Sequence, residues 1–288
     1  MKRILVPTDF SEQAGFAMDL ACQIAHSTKI EVVAIHVLDH TGLFDFSAGS
    51  TAYPLMGNPA GLDLDQKFLE SLYQNAEEKC NQFLKPFEKK GLKITKKIKI
   101  GSAFHYITEE VNEEKTDLVI IGSKGASGFE EVLIGSNTEK VVRHAKCPVL
   151  TVKSRVQIEN VKNIVFATNF KEEDSHVADE LKKLQEVFKA KLHLVRINTP
   201  TNFETNRKIM AHADTFVKEN EISNYTINIY SDKVEEDGII FFAQDINADL
   251  IALATHGRSG LLHLLSGSIA EDVVNHAKRP VWTFRLKH

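Results

Sequence analysis

The sequence predicts an α/β protein built as two tandem, doubly wound, five-stranded and mostly parallel sheets, and three observations carry that prediction. Short apolar runs alternate with amphipathic helical stretches along the chain, the pattern of parallel strands joined by right-handed crossover helices. A long segment occurs twice: Leu118 to His144 reads LVIIGSKGASGFEEVLIGSNTEKVVRH, and Leu250 to His276 reads LIALATHGRSGLLHLLSGSIAEDVVNH. Gly257, Gly260, Gly267, Ser268 and Glu271 thereby fall on Gly125, Gly128, Gly135, Ser136 and Glu139 at one constant offset. The opening strand recurs as well, Ile4 to Phe10 (ILVPTDF) returning as Ile164 to Phe170 (IVFATNF) at a larger offset, so the second copy is shorter in its middle.

Each element has a local reason. Lys2 to Val6 is an apolar strand that Pro7 ends, and Ser11 can cap a helix whose apolar positions Ala14, Ala17, Met18, Ala21, Ile24 and Ala25 keep helical spacing. Ile30 to Leu38 is a nearly continuous apolar run, as expected of a strand covered on both faces, with His36 read as a structural histidine. Residues Asp39 to Asp63 hold Gly, Pro and Ser with scattered aromatics, a length typical of a flap, a binding loop or a disordered segment; its aromatics could cover a base, the neighbouring sheet edge or a partner. A stripe from Phe68 to Phe87 reads as core-facing helix, Ile94 to Ile100 as a half-exposed edge strand, Ala103 to Lys115 as helix, and Cys147 to Val152 as the closing strand. After a polar linker from Lys153 to Asn160 the order repeats: Val161–Ala167, Asp174–Phe188, Lys191–Ile197, Phe203–Asn220, Tyr225–Tyr230, Glu235–Ile246, Leu250–Ala254, Ser268–His276 and Pro280–Phe284. The domains expected are residues 1–153 and 161–288.

Composition sets the class. The 288 residues are 43% hydrophobic with a formal net charge of −4, ordinary for a soluble chain of two domains. No apolar run approaches the roughly 20 residues of a membrane span and the N-terminus runs straight into a strand, so the expectation is a cytoplasmic protein. Mild acidity offers no broad basic surface for nucleic acid. Cys22, Cys80 and Cys147 are odd in number and widely spaced, which argues for small buried hydrophobes over a disulfide or zinc framework.

The chemistry gathers at Gly122-Ser123-Lys124-Gly125 and Gly135-Ser136-Asn137-Thr138-Glu139. They follow the strand Leu118 to Ile121 and open the helix through His144. Glycines admit close backbone approach, and the unpaired N–H groups of a helix's first turn point at an anion, so a phosphate fits. Ser136-x-x-Glu139 is also a capping box that would start this helix with no ligand present. Thr8 and Asp9 lie where the first strand turns into a helix, the usual ligand-bearing edge of such a sheet.

Val-Pro-Thr-Asp-Phe-Ser at the start, Gly122-x-x-Gly125-x9-Gly135-Ser136, and His-Ala-Lys-Cys-Pro-Val-Leu at the end resemble the universal stress protein family, and the two copies resemble its tandem form. The resemblance covers nearly the whole chain. It implies a Rossmann-like fold of the adenine nucleotide alpha hydrolase type and a stress-response protein binding ATP or AMP, with magnesium accompanying the ATP phosphates. Carried over residue by residue, Asp9 and Val37 would meet the adenosine, Gly122, Ser123 and Gly125 the ribose and phosphate path, and Gly135, Ser136, Asn137 and Thr138 the phosphates. Pro7 and Thr8 complete the nucleotide-binding set. It also implies pairing of the two halves through the closing strands Val149 to Val152 and Val281 to Phe284, and leaves a homodimer of tandem chains open.

The second half offers Asn169, Ile197, Gly257, Gly267 and Ser268 as a second candidate site, with departures. Asn169 stands for Asp9, Ala167 for Pro7 and Ala254 for Gly122, which loses a charge and adds a methyl where a ribose would approach. The first half is therefore expected to keep the nucleotide, and the second to bind it weakly, bind another ligand or bind none. No Walker A ending, Gly-x-Ser-x-Gly elbow, positioned general base or metal-binding acidic cluster is recognisable, so a regulatory nucleotide-binding protein is the first reading. A slow ATPase or nucleotide-dependent enzyme on the same scaffold is the alternative, and a scaffold whose second half binds a different small ligand is the third.

Overall fold

A computed structural model describes residues 1–28, 30–38, 59–88, 92, 94–123, 134–170, 175–256 and 268–286. The first half runs β1 (Arg3–Pro7), α1 (Glu12–Thr28), β2 (Glu31–Leu38), α2 (Pro59–Glu88), β3 (Ile94–Ile100), α3 (Ala103–Glu113), β4 (Leu118–Gly122), α4 (Ser136–His144) and β5 (Val149–Val152). A short 3₁₀ turn at Ile158–Asn160 leads to the second half. It runs β6 (Asn163–Ala167), α5 (Ser175–Phe188), β7 (Lys191–Asn198), α6 (Asn206–Glu219), β8 (Tyr225–Ser231), α7 (Glu235–Asp245), β9 (Leu250–His256), α8 (Ser268–His276) and β10 (Val281–Leu286).

The two five-stranded sheets are one. Their common order is β3-β2-β1-β4-β5-β10-β9-β6-β7-β8, parallel within each half and antiparallel only where β5 meets β10. At that seam Thr151 faces Val281, Leu150 faces Trp282, and Val149 faces Thr283. In each half the chain works outward from the first strand to one side, then returns to the other, so a switch point falls between β1 and β4 and again between β6 and β9. Pairing through the closing strands is thus made within one chain.

Strand alternation feeds two core layers. Ile4 and Val6 turn to one face, with Met18, Leu84, Leu181 and Phe216 from α1, α2, α5 and α6. Leu5 turns to the other, with Ile107, Val141, Ile239 and Val273 from α3, α4, α7 and α8. Both layers run across the seam. Cys22, Cys80 and Cys147 are buried and outside any disulfide, and burial pushes the Cys147 thiol pKa up to about 12. Among the described residues no helix is long and apolar enough to cross a membrane.

Local signals behave as expected in several places. Ser11 starts α1, its Oγ accepting from the Ala14 N–H at 3.2 Å and its carbonyl from Gly15 at 3.0 Å. β3, alternating apolar with lysine, is a half-buried edge strand. Three expectations need correction. The segment expected to be loop through Asp63 gives way to helix at Pro59, and its residues 39–58 lie outside the described residues. The α2 stripe is core only in its later turns: Ala76, Cys80 and Leu84 are buried, whereas Leu69 and Tyr73 are exposed, because this long helix outruns the layer it packs on. Helix α6 begins at Asn206 behind the N-cap Thr205, leaving Phe203 outside it and 69% exposed.

Candidate functional site

The carboxyl ends of β2, β1 and β4, adjacent in that order, bring the first-half candidates to one edge. Pro7 closes β1 opposite Ile35, Val37 sits half-buried near the end of β2, and Gly122 closes β4. Beyond β1 the backbone turns sharply. Thr8 donates its N–H to the Ile35 carbonyl at 2.9 Å, its Oγ1 accepts from the Phe10 N–H at 3.0 Å, and Phe10 takes a left-handed φ of 65°. Such a conformation is costly for an aromatic residue and persists because its surroundings hold it. The turn lifts Asp9 onto the sheet edge, where Oδ1 accepts from the Ser11 N–H at 3.0 Å.

His36 braces this turn. Its Nδ1–H donates to the Thr8 carbonyl at 2.8 Å and its ring stacks on Phe10 with centroids 4.2 Å apart. Burial lowers its pKa, a shift opposed by the Thr8 bond and the nearby Asp9, so the imidazole is held neutral beside a carboxylate. The structural reading of His36 therefore holds.

At the other side of the switch point, Ser123 donates its N–H to the Val152 carbonyl and accepts from the Gly135 N–H at 2.8 Å. Gly135 is the N-cap of α4, in extended conformation with φ −64° and ψ 145°. The capping box is not made. Ser136 is the first helical residue instead of the cap, and the Glu139 carboxylate turns to Arg143, one helical turn on, at 3.2 Å. The first helical bond is the one from Glu139 N–H to the Gly135 carbonyl, so among the described residues no side chain caps the N–H groups of Ser136, Asn137 and Thr138. Ser136 and Asn137 are exposed. Thr138 is 5% exposed and its hydroxyl donates to the Gly122 carbonyl at 3.0 Å, so its side chain ties α4 to β4 and only its backbone faces the edge.

Gly122 is explained by packing. A Cβ there would lie 2.9 Å from the Gln13 carbonyl carbon and Cβ and 3.1 Å from the Ala14 nitrogen, while its φ is outside the left-handed region. The glycine lets the first turn of α1 cross β4 closely, a packing reason for the glycine that stands whether or not a ligand approaches it. Gly125 lies outside the described residues.

The second half repeats the turn and changes its chemistry. Thr168 donates its N–H to Val195, its Oγ1 accepts from Phe170, and Phe170 takes φ 55°. Arg196, however, occupies the place of His36. It is 4% exposed; Nη1 donates to Asn169 Oδ1 and Nη2 to the Asn202 carbonyl at 3.2 Å. Asn202 in turn donates to Glu235 at 3.2 Å, and Asn198 closes the β7–α6 loop by bonding the Glu204 backbone twice. The Asn169 side-chain oxygen thus has an internal partner. Ile197, expected beside a second ligand, is buried, with Cγ2 2.6 Å from where a Cβ on Gly238 would stand; the first half has Tyr106 at that helix position, under Lys99 Nζ at 5.3 Å. Gly257 and Gly267 lie outside the described residues, and Ser268 opens α8. Arg196 was missed as a site residue, though aligning the copies puts it on His36 exactly where Asn169 replaces Asp9.

In the first half a glycine-bearing strand end and a helix start with no side-chain cap among the described residues meet at the switch point of a doubly wound sheet, and the second half repeats the α/β scaffold with Ala254 at the strand end. Known proteins supply the rest. The sequence model of the universal stress protein family matches residues 1–153 and again 160–285. Over 155 residues, 54% of this chain and 96% of the relative, the chain is 30% identical to universal stress protein MJ0577 of Methanocaldococcus jannaschii. Over 152 residues, 53% and 82% respectively, it is 33% identical to universal stress protein MJ0531 of the same organism. The crystal structure of a universal stress protein from Archaeoglobus fulgidus matches 99% of this chain and 98% of its own with a TM-score of 0.74 at 19% identity, a likeness of fold. The chain belongs to the universal stress protein family, as a tandem of two of its domains.

Proposed function

We propose that this protein binds one adenine nucleotide, ATP or AMP, in its first half and acts as a regulatory protein of the stress response whose state follows that occupancy. The observation that carries the reading is the start of α4. Three first-turn N–H groups lie at the ligand-bearing edge with no side-chain cap among the described residues, although a capping box was available in the sequence. Ser136, Asn137 and Thr138 would offer these backbone donors to phosphates beside the N-cap Gly135, Gly122, Ser123 and Gly125 would flank the ribose and phosphate path, and Pro7, Thr8, Asp9 and Val37 would face the nucleoside. Asp9 is an acceptor suited to hydroxyl or amino groups. Among the described residues no group of three His, Cys, Asp or Glu side chains could hold a metal ion, so magnesium would arrive on the ATP phosphates.

In the second half the Arg196 to Asn169 contact supports a site that does not take the same ligand. The test is to denature the gently purified chain, identify and count the nucleotide released, and repeat after incubation with ATP and magnesium. About one adenine nucleotide per chain is expected; two, or none under either condition, would refute the reading. Conversion of bound ATP to ADP over time would instead favour a slow ATPase.

A further inference from the structure

The loop that leads into α4 is held from the opposite half. Ile134 immediately precedes Gly135, and its backbone N–H donates to Asn275 Oδ1 on α8 at 2.9 Å. The antiparallel seam makes this contact reachable, because it lays α4 beside α8: Val141 and Val142 share one core layer with Val273 and Val274. Arg143 on α4 reaches Glu271 on α8 at 2.6 Å while holding Glu139 on its own helix. Lys153 Nζ, at the end of β5, donates to the Asn275 carbonyl at 2.5 Å and fixes that residue's backbone. Asn275 is thus anchored through its main chain and presents its side-chain oxygen to the loop.

The arrangement runs one way. The repeat puts Arg143 where the second half has Asn275, and a guanidinium has donors only, so it cannot accept from the backbone N–H at the corresponding place before α8. The second half supplies an acceptor to the first half's loop and receives none in return from that position.

We propose that Asn275 is a positioning residue for the first half's nucleotide site, so that the domain with the altered site serves as a clamp on the domain with the intact one. The proposal rests on the reading of Gly135 to Thr138 as phosphate-facing. Three backbone N–H groups bind an anion well only if they are aimed before it arrives, and the Ile134 to Asn275 bond fixes the residue from which the helix start is hung. Losing the acceptor leaves a half-buried N–H unsatisfied and lets that start relax.

The test uses the full chain with ATP and magnesium, measured by equilibrium dialysis, together with amide hydrogen exchange at residue 134. Asn275→Ala is expected to weaken ATP binding about tenfold and to speed exchange at Ile134, with the ligand-free melting temperature little changed. Asn275→Asp keeps an acceptor oxygen and is expected to bind within about twofold of the unaltered chain. Equal binding by Asn275→Ala and the unaltered chain, or equal weakness of the Ala and Asp variants, would overturn the proposal. If the unaltered chain bound no ATP, the nucleotide reading would fail by itself; exchange at Ile134 unchanged in Asn275→Ala would separately overturn the clamp.

Discussion

The two halves share a backbone and differ in charge at the same point of it. Each carries the strand end, the threonine that bonds two residues on, and the phenylalanine with left-handed φ. In the first half this turn presents a carboxylate, Asp9, beside a histidine held neutral by burial. In the second it presents an amide, Asn169, bonded to a buried guanidinium. Scaffold and site chemistry are thus separable: the turn is a property of the fold, and two side chains decide the sign of what it offers.

The largest effect that sharpens the contrast is on binding. Gly135→Trp should lower adenine nucleotide affinity about 100-fold or more by filling the approach to α4, while Gly267→Trp should leave it unchanged, both measured by equilibrium dialysis. Equal losses would mean that both halves bind. Next comes the strand-helix crossing. Gly122→Ala should destabilise the chain by about 1–3 kcal/mol in urea unfolding, because the added Cβ meets the backbone of Gln13 and Ala14, whereas Ala254→Gly should cost only about 0.5–1 kcal/mol. A smaller change is expected from Asn169→Asp. The carboxylate would gain a charge-assisted bond from Arg196, raising unfolding free energy by about 1 kcal/mol, and a loss of stability would contradict the description of Arg196.

The smallest effect is on pH dependence. His36 and His193 both have pKa values lowered by burial from the usual 6.5. The unfolded chain therefore binds more protons than the folded one as pH falls through that window, and their stabilising contribution is complete above pH about 6.5 and lost below it. The urea midpoint should be lower at pH about 5.5 than at about 7.5. A midpoint unchanged or raised at the lower pH would contradict the neutral, buried His36.

Repetition made the fold legible, since elements read from one half could be checked against the other, and the seam was expected from the family resemblance. The site was less so. Ser136-x-x-Glu139 reads as a cap, but Gly135, whose N–H is held by the Ser123 carbonyl at the end of β4, takes the half-in position. The packing demand on Gly122 was hidden because the helix that crosses it lies far back in sequence, at Gln13. Arg196 and Asn169 are distant in sequence and meet through the register of β6 and β7. Asn275 carries no motif at all; its partner is a backbone group in the other half.

The seam itself has an evolutionary consequence. Where two identical chains pair through such a strand, every substitution appears twice and must fit its own image. Here Leu150 faces Trp282, the chain's single tryptophan, 1% exposed. A bulky residue on one side can be matched by a smaller one on the other only because the partners are no longer copies. Covalent linkage also holds them together at high effective concentration whatever their individual affinity. Joining the halves therefore frees each from symmetry, so that a substitution in one need not be repeated in the other.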